Sequence, residues 1–108
     1  MRENTTMDYG SFIKARESES GKRRRVLCYE RRKTSYLILE YRLFEDIDDD
    51  EKAPYTVGIC ASNGKRERYT ELENCFYEKD ISRMFFDILV RNMVTPVGLS
   101  YVYNDFTE

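Results

Sequence analysis

The spacing of apolar positions changes from two to between three and four along this chain, and each spacing predicts a different element. From Ser35 to Phe44 the period is two: Leu37, Leu39, Tyr41 and Leu43 alternate with Tyr36, Ile38, Glu40 and Arg42, which predicts a strand with one buried face. Tyr55, Val57, Ile59 and Ala61 repeat that period and predict a second strand. Asn63-Gly64 follows it and is the strongest hairpin signal present. A two-residue loop there sets Ser62 against Lys65, Gly58 against Tyr69 and Tyr55 against Leu72, so the third strand runs to about Leu72. In that register the Tyr69 ring covers the glycine.

Between Asp80 and Asn92 the spacing becomes helical. Ile81, Met84, Phe85, Ile88 and Leu89 recur at i, i+3, i+4, i+7 and i+8, with Phe85 and Ile88 expected to face the sheet. A second stripe, Phe86, Val90 and Met93, makes the helix apolar over more than one face, as a helix packed between two other elements must be. Asp80 is the expected N-cap, its charge suited to the positive end of the helix. Thr95-Pro96 reads as an N-cap followed by proline in the first helical position, opening a short helix with Leu99, Val102, Tyr103 and Phe106 on its apolar face. The short β-prone insert Val26-Leu27-Cys28-Tyr29 predicts an edge strand over residues 24–30.

The order of elements predicts an α+β fold: an antiparallel three- to four-stranded β-meander with a C-terminal two-helix hairpin packed on one face. Residues 1–21 have no useful periodicity and few large apolar side chains, which predicts a flexible N-terminal arm ahead of a single α+β domain over 22–108.

Composition narrows the class. At 108 residues, 41% hydrophobic and 14% aromatic, the chain can bury a modest core without staples. The three cysteines, Cys28, Cys60 and Cys75, are odd in number and lack CxxC spacing, so they read as small hydrophobes in a reducing compartment. With no run of eighteen apolar residues and no signal-like apolar core, the expectation is a cytoplasmic chain that neither spans a membrane nor is exported.

Absences do most to limit the chemistry. The chain has no histidine, which removes the usual general base at neutral pH and the commonest metal ligand. Three cysteines cannot complete a four-thiolate zinc site, and no phosphate-binding glycine loop is present. The expectation is a non-enzymatic protein with no cofactor and no metal.

Charge supplies the candidate sites. A net charge of −2 conceals a surplus of basic residues before position 34 and of acidic residues after it. Seven Lys/Arg fall within the twelve residues from Lys22 to Lys33: Lys22, Arg23, Arg24, Arg25, Arg31, Arg32 and Lys33, with Tyr29 between the clusters. Arginines suit bidentate pairing with carboxylates on a protein partner, and the same set suits phosphate contact and base stacking. The plain alternative is a hairpin whose charges face water. The acidic remainder of the chain would repel a duplex backbone, which favours the protein partner.

Glu45, Asp46, Asp48, Asp49, Asp50 and Glu51 form an acidic run, read as a solvated loop or as a secondary docking surface. Calcium binding fits poorly, because an EF-hand loop begun at Asp46 would place Glu51 where glycine is required and Val57 where glutamate is required.

Ile81-Ser82, Val94-Thr95-Pro96-Val97-Gly98-Leu99 and Asp105-Phe106 resemble the turns of an uncharacterised family of small domains from Gram-positive anaerobic bacteria. The resemblance covers about residues 36–106 and leaves the basic arm unmatched. It implies a meander followed by two helices and brings no activity. Taken together, the expectation is a small regulatory or inhibitory domain, bacterial or phage in type by analogy, that binds a protein partner; the alternative is a nucleic-acid-binding regulator using residues 22–33.

Overall fold

The structure, a computed structural model, describes residues 23–47 and 52–108. Four strands form one antiparallel sheet in chain order: β1 (Arg24–Lys33), β2 (Ile38–Asp46), β3 (Tyr55–Ser62) and β4 (Glu67–Phe76). Two helices follow, α1 (Lys79–Arg91) and α2 (Leu99–Thr107), the second entered through a 3₁₀ turn at Pro96–Gly98. The α+β meander with a C-terminal helical pair is therefore the architecture observed.

The alternation in β2 and β3 holds. Leu39, Tyr41 and Leu43, with Tyr55, Val57 and Ile59, are buried beneath the helices. The strand limits differ: β2 begins at Ile38 and runs on to Asp46, and β1 extends through Lys33. Thr34 explains the β2 start, since its hydroxyl accepts from the N–H groups of Tyr36 and Leu37 and folds those residues into the β1–β2 turn.

The β3–β4 register is shifted from the expected one. Ser62 faces Glu67, Cys60 faces Tyr69, Gly58 faces Glu71 and Val57 faces Leu72. The loop has four residues because the Asn63 carboxamide oxygen accepts the N–H groups of both Lys65 and Arg66, closing a wider turn, with Gly64 at φ +92°. The slip is an even number of positions, so every side chain keeps its face. Tyr69 still covers Gly58, now from the diagonal position: a Cβ on Gly58 would lie 2.5 Å from the Tyr69 hydroxyl. β4 also continues past Leu72, through a bulge where Asn74 adopts φ +52° and Phe76 comes opposite Tyr55.

In α1 the buried face is Ser82, Phe85, Phe86, Leu89 and Val90, midway between the two predicted stripes. Ile81 and Met84 are exposed, and Ile88 is only half-buried. Phe85 and Phe86 are neighbours in sequence, and burying both rotates the helix away from Ile81 and Met84. The N-cap position is Glu78, and no side chain caps there; Asp80 lies within the first turn instead. The Ser82 hydroxyl donates to Glu78 O at 2.7 Å. Thr95 precedes the 3₁₀ turn without a side-chain cap, and Pro96 takes the first position as expected. Phe76, Phe85, Tyr103 and Phe106 form an aromatic cluster of tilted and edge-to-face pairs joining β4 to both helices, with centroids 5.2–5.8 Å apart.

Candidate interaction site

β1 forms one edge of the sheet, and its register with β2 sorts the basic segment by face. Cys28, Glu30 and Arg32 stand on the helix side opposite Leu43, Tyr41 and Leu39, while Tyr29, Arg31 and Lys33 stand on the second face opposite Arg42, Glu40 and Ile38. A register shift between Val26 and Cys28 brings Arg24 and Val26 onto that second face as well.

The cations therefore separate into two environments. Arg31, Arg32 and Lys33 are exposed, with Arg32 held against Glu30 at 2.9 Å. Arg25 is exposed and reaches Glu45 at 2.9 Å. Arg23 is exposed, and its backbone carbonyl accepts from Ile47 N–H at 2.9 Å. Arg24 is different: its side chain is 1% exposed, placed 3.0 Å from Glu71 and Glu73 and 3.5 Å from Asp46. Its guanidinium also lies 5.3 Å from the centre of the Phe44 ring. Burial alone would lower the Arg24 pKa, but the hydrogen bond and charge of Glu71, with Asp46, raise it above the ordinary value. Arg24 is thus part of the interior and is not presented to a partner. Lys22 lies outside the described residues.

Tyr29 is half-exposed, and its hydroxyl donates to Glu40 at 2.9 Å. The Arg42 guanidinium sits 5.2 Å from the centre of its ring. Burial, then the bond to Glu40, push the phenol pKa up. Arg42 is 1% exposed, although strand alternation places it on the face expected to be solvated. The middle of that second face is buried too, at Phe44, Thr56 and Cys60. Burial lowers the Arg42 pKa to about 10, which leaves the group cationic at neutral pH.

Only the first two residues of the acidic run are described. Glu45 and Asp46 belong to β2, and Asp46 is buried, accepting from the Asn74 carboxamide at 2.7 Å. Asn74 also donates to Ala53 O and, from its backbone, to Thr56, so it ties the end of β2 to the β3 entry and the β4 bulge. Asp48, Asp49, Asp50 and Glu51 lie outside the described residues.

Glu71, Glu73, Asn74 and Arg42 escaped the sequence reading. The alternation of Glu71 and Glu73, which puts two carboxylates on one strand face, was a weak signal for a cation nearby. The burial of Arg42 left no signal, because alternation along β2 reports which face a residue takes and not whether that face is covered.

Burial pushes the Cys60 and Cys75 thiols up to about 12, so neither is a nucleophile at neutral pH. Among the described residues no group of three or more metal-ligating side chains comes together. No described helix is long and apolar enough to cross a membrane.

The model of a family of unknown function (DUF6514) matches residues 14–108. No curated protein matches the chain, and no solved structure does. The match starts at residue 14 and therefore takes in the basic segment, which the resemblance over residues 36–106 left unmatched.

Proposed function

The chain belongs to this family of unknown function, and we propose that it is a non-enzymatic regulatory or inhibitory domain that docks a protein partner through β1. One observation carries the reading: Arg25, Arg31, Arg32 and Lys33 are exposed along a single ten-residue edge strand, while the neighbouring Arg24 is taken into the interior. Sequestering one arginine and displaying four cations gives the edge a defined charged surface. Such a surface steers and orients an acidic partner. The remainder of the chain is acidic, which disfavours a nucleic-acid duplex at any extended contact. A bacterial, cytoplasmic setting belongs to the same reading, supported by the family resemblance and by the free thiols.

The test compares the wild type with a variant carrying Arg31→Glu, Arg32→Glu and Lys33→Glu as baits in extracts of the native host. A control carries Lys65→Glu, Arg66→Glu and Arg68→Glu on the β3–β4 hairpin, at the same end of the sheet but across β2 and β3 from β1. The reading expects a protein retained by the wild type and the control but reduced about tenfold on the β1 variant. Equal retention by all three would remove β1 from the docking surface. Binding to generic duplex DNA that falls steeply with salt would instead support the nucleic-acid alternative.

A further inference from the structure

The outer edge of β1 at Arg31 and Lys33 has a chemistry more specific than positive charge. Thr34 N–H donates to Leu37 O at 2.8 Å, which makes Thr34 and Leu37 a hydrogen-bonded pair at the β1–β2 turn. Antiparallel alternation then directs the backbone N–H and C=O of Arg31 and Lys33 away from β2, toward the outer edge. The Arg31 carbonyl fits this direction, since it accepts from the exposed Arg32 guanidinium at 3.0 Å. Among the described residues no strand pairs with this edge, and neither Arg31 nor Lys33 makes an ion pair. The other edge of the sheet is obstructed at β4 by the Asn74 bulge and by the Tyr103 hydroxyl, which donates to Cys75 O at 2.9 Å.

We propose that this edge takes up an extended segment of a partner protein as a fifth strand, and that the segment carries Asp or Glu at alternate positions. The proposal rests on the docking function above and specifies its geometry. Arg31 and Lys33 project from the same face two residues apart, roughly 7 Å along the strand. Carboxylates two residues apart on an added strand match that spacing, while its backbone bonds to the outward groups of Arg31 and Lys33. The same cations exclude a second copy of β1, which would set arginine and lysine against their equivalents. An added acidic strand turns that repulsion into attraction.

The experiment uses the full chain and a capped peptide of about eight residues alternating glutamate with valine or threonine. Two comparison peptides have the same charge: one is N-methylated at the amides that would face β1, and one has its glutamates clustered. Affinity is read by titration, and amide hydrogen exchange is followed at Arg31 and Lys33. The expected result is binding of the alternating peptide with exchange at Arg31 and Lys33 slowed about tenfold. N-methylation, clustering and the Arg31→Glu/Lys33→Glu variant should each weaken binding about tenfold. Equal binding of all three peptides would overturn strand addition while leaving a charged docking surface in place. If no peptide binds but a host protein still depends on the β1 cations, strand addition again fails and the docking reading survives. Loss of both would end both. Protection of the same amides by self-association or by DNA would also overturn the proposal. Unchanged thermal unfolding of the variant checks that these exposed substitutions leave the fold intact.

Discussion

Gly58 and Cys60, two residues apart on β3, show how closely the second face of the sheet is packed. Any side chain at Gly58 would meet the Tyr69 phenol, whose hydroxyl is held by Glu71 at 2.6 Å, so the ring cannot retreat without disturbing the carboxylate that also binds Arg24. Gly58→Ala should cost about 1–3 kcal/mol as an overpacking change. In a Tyr69→Ala background the same substitution should be close to neutral, and a double-mutant cycle by chemical denaturation reads the coupling. Cys60 predicts a pH effect. Burial, with the charges of Glu67 and Glu40, raises its thiol from 9.0 to about 12 in the folded chain. Above pH 9 the unfolded chain releases a proton that the folded chain keeps. This contribution to stability is therefore complete below pH 9 and is lost as pH rises toward 12. The stability gap between wild type and Cys60→Ala should narrow by about 1 kcal/mol between pH 8 and 10. Arg42, its pKa lowered to about 10 by burial, acts in the opposite sense from the top of this window upward, and it is present in both chains, so it largely cancels from the gap. A gap independent of pH would show that the thiol is not desolvated.

At the level of elements, α1 illustrates how a helix with two apolar stripes chooses its face. Phe85 is fully buried against Phe76, Tyr103 and Phe106, while Met84 beside it is 58% exposed. Phe85→Ala should cost about 3–5 kcal/mol and Met84→Ala well under 1. A comparable loss at both positions in urea titrations would mean that the helix is turned differently. The end of α1 offers a gain. Val94 N–H bonds to Leu89 O and Met93 N–H to Val90 O, with Met93 at φ +52° in the position where helices usually place glycine. Met93→Gly should stabilise the chain by about 0.5–1 kcal/mol by removing a Cβ from a left-handed conformation. A drop in melting temperature would show that the methionine side chain contributes more than its backbone strain costs.

Across the whole molecule, Arg24 is the residue that links the two ends of the sheet. It starts on β1 and, over Phe44, reaches Glu71 and Glu73 on β4, with β2 and β3 lying between. Arg24→Glu replaces a cation with a fourth carboxylate beside the buried Asp46 and Glu71, so it should destabilise by about 3–5 kcal/mol. Arg25→Glu, an equal change of charge one residue along, removes an exposed pair with Glu45 and should cost about 1 kcal/mol or less. Similar melting temperatures for the two variants would contradict the buried cluster. The comparison also bears on the docking surface, because a binding defect in an Arg24 variant would report lost structure, and only Arg25, Arg31, Arg32 and Lys33 report the edge itself.

What the amino-acid order determined by itself is the set of elements and their faces. Alternation over Leu39, Tyr41 and Leu43 and over Tyr55, Val57 and Ile59, the helical spacing around Phe85, and proline after Thr95 were enough for the α+β meander. These signals are local: a strand or helix needs only neighbours in sequence to declare its period, and an even register slip leaves that period intact. Tertiary structure decided which charges are available. Arg24, Arg42 and Asp46 look like surface residues in the sequence and are buried in the fold, Arg24 among carboxylates carried by β2 and β4. A side chain's solvation is set by what distant segments bring over it, and no spacing along the chain encodes that. The interaction site was therefore legible as a basic stretch, while its division into a structural arginine and a displayed cationic edge depended on the sheet.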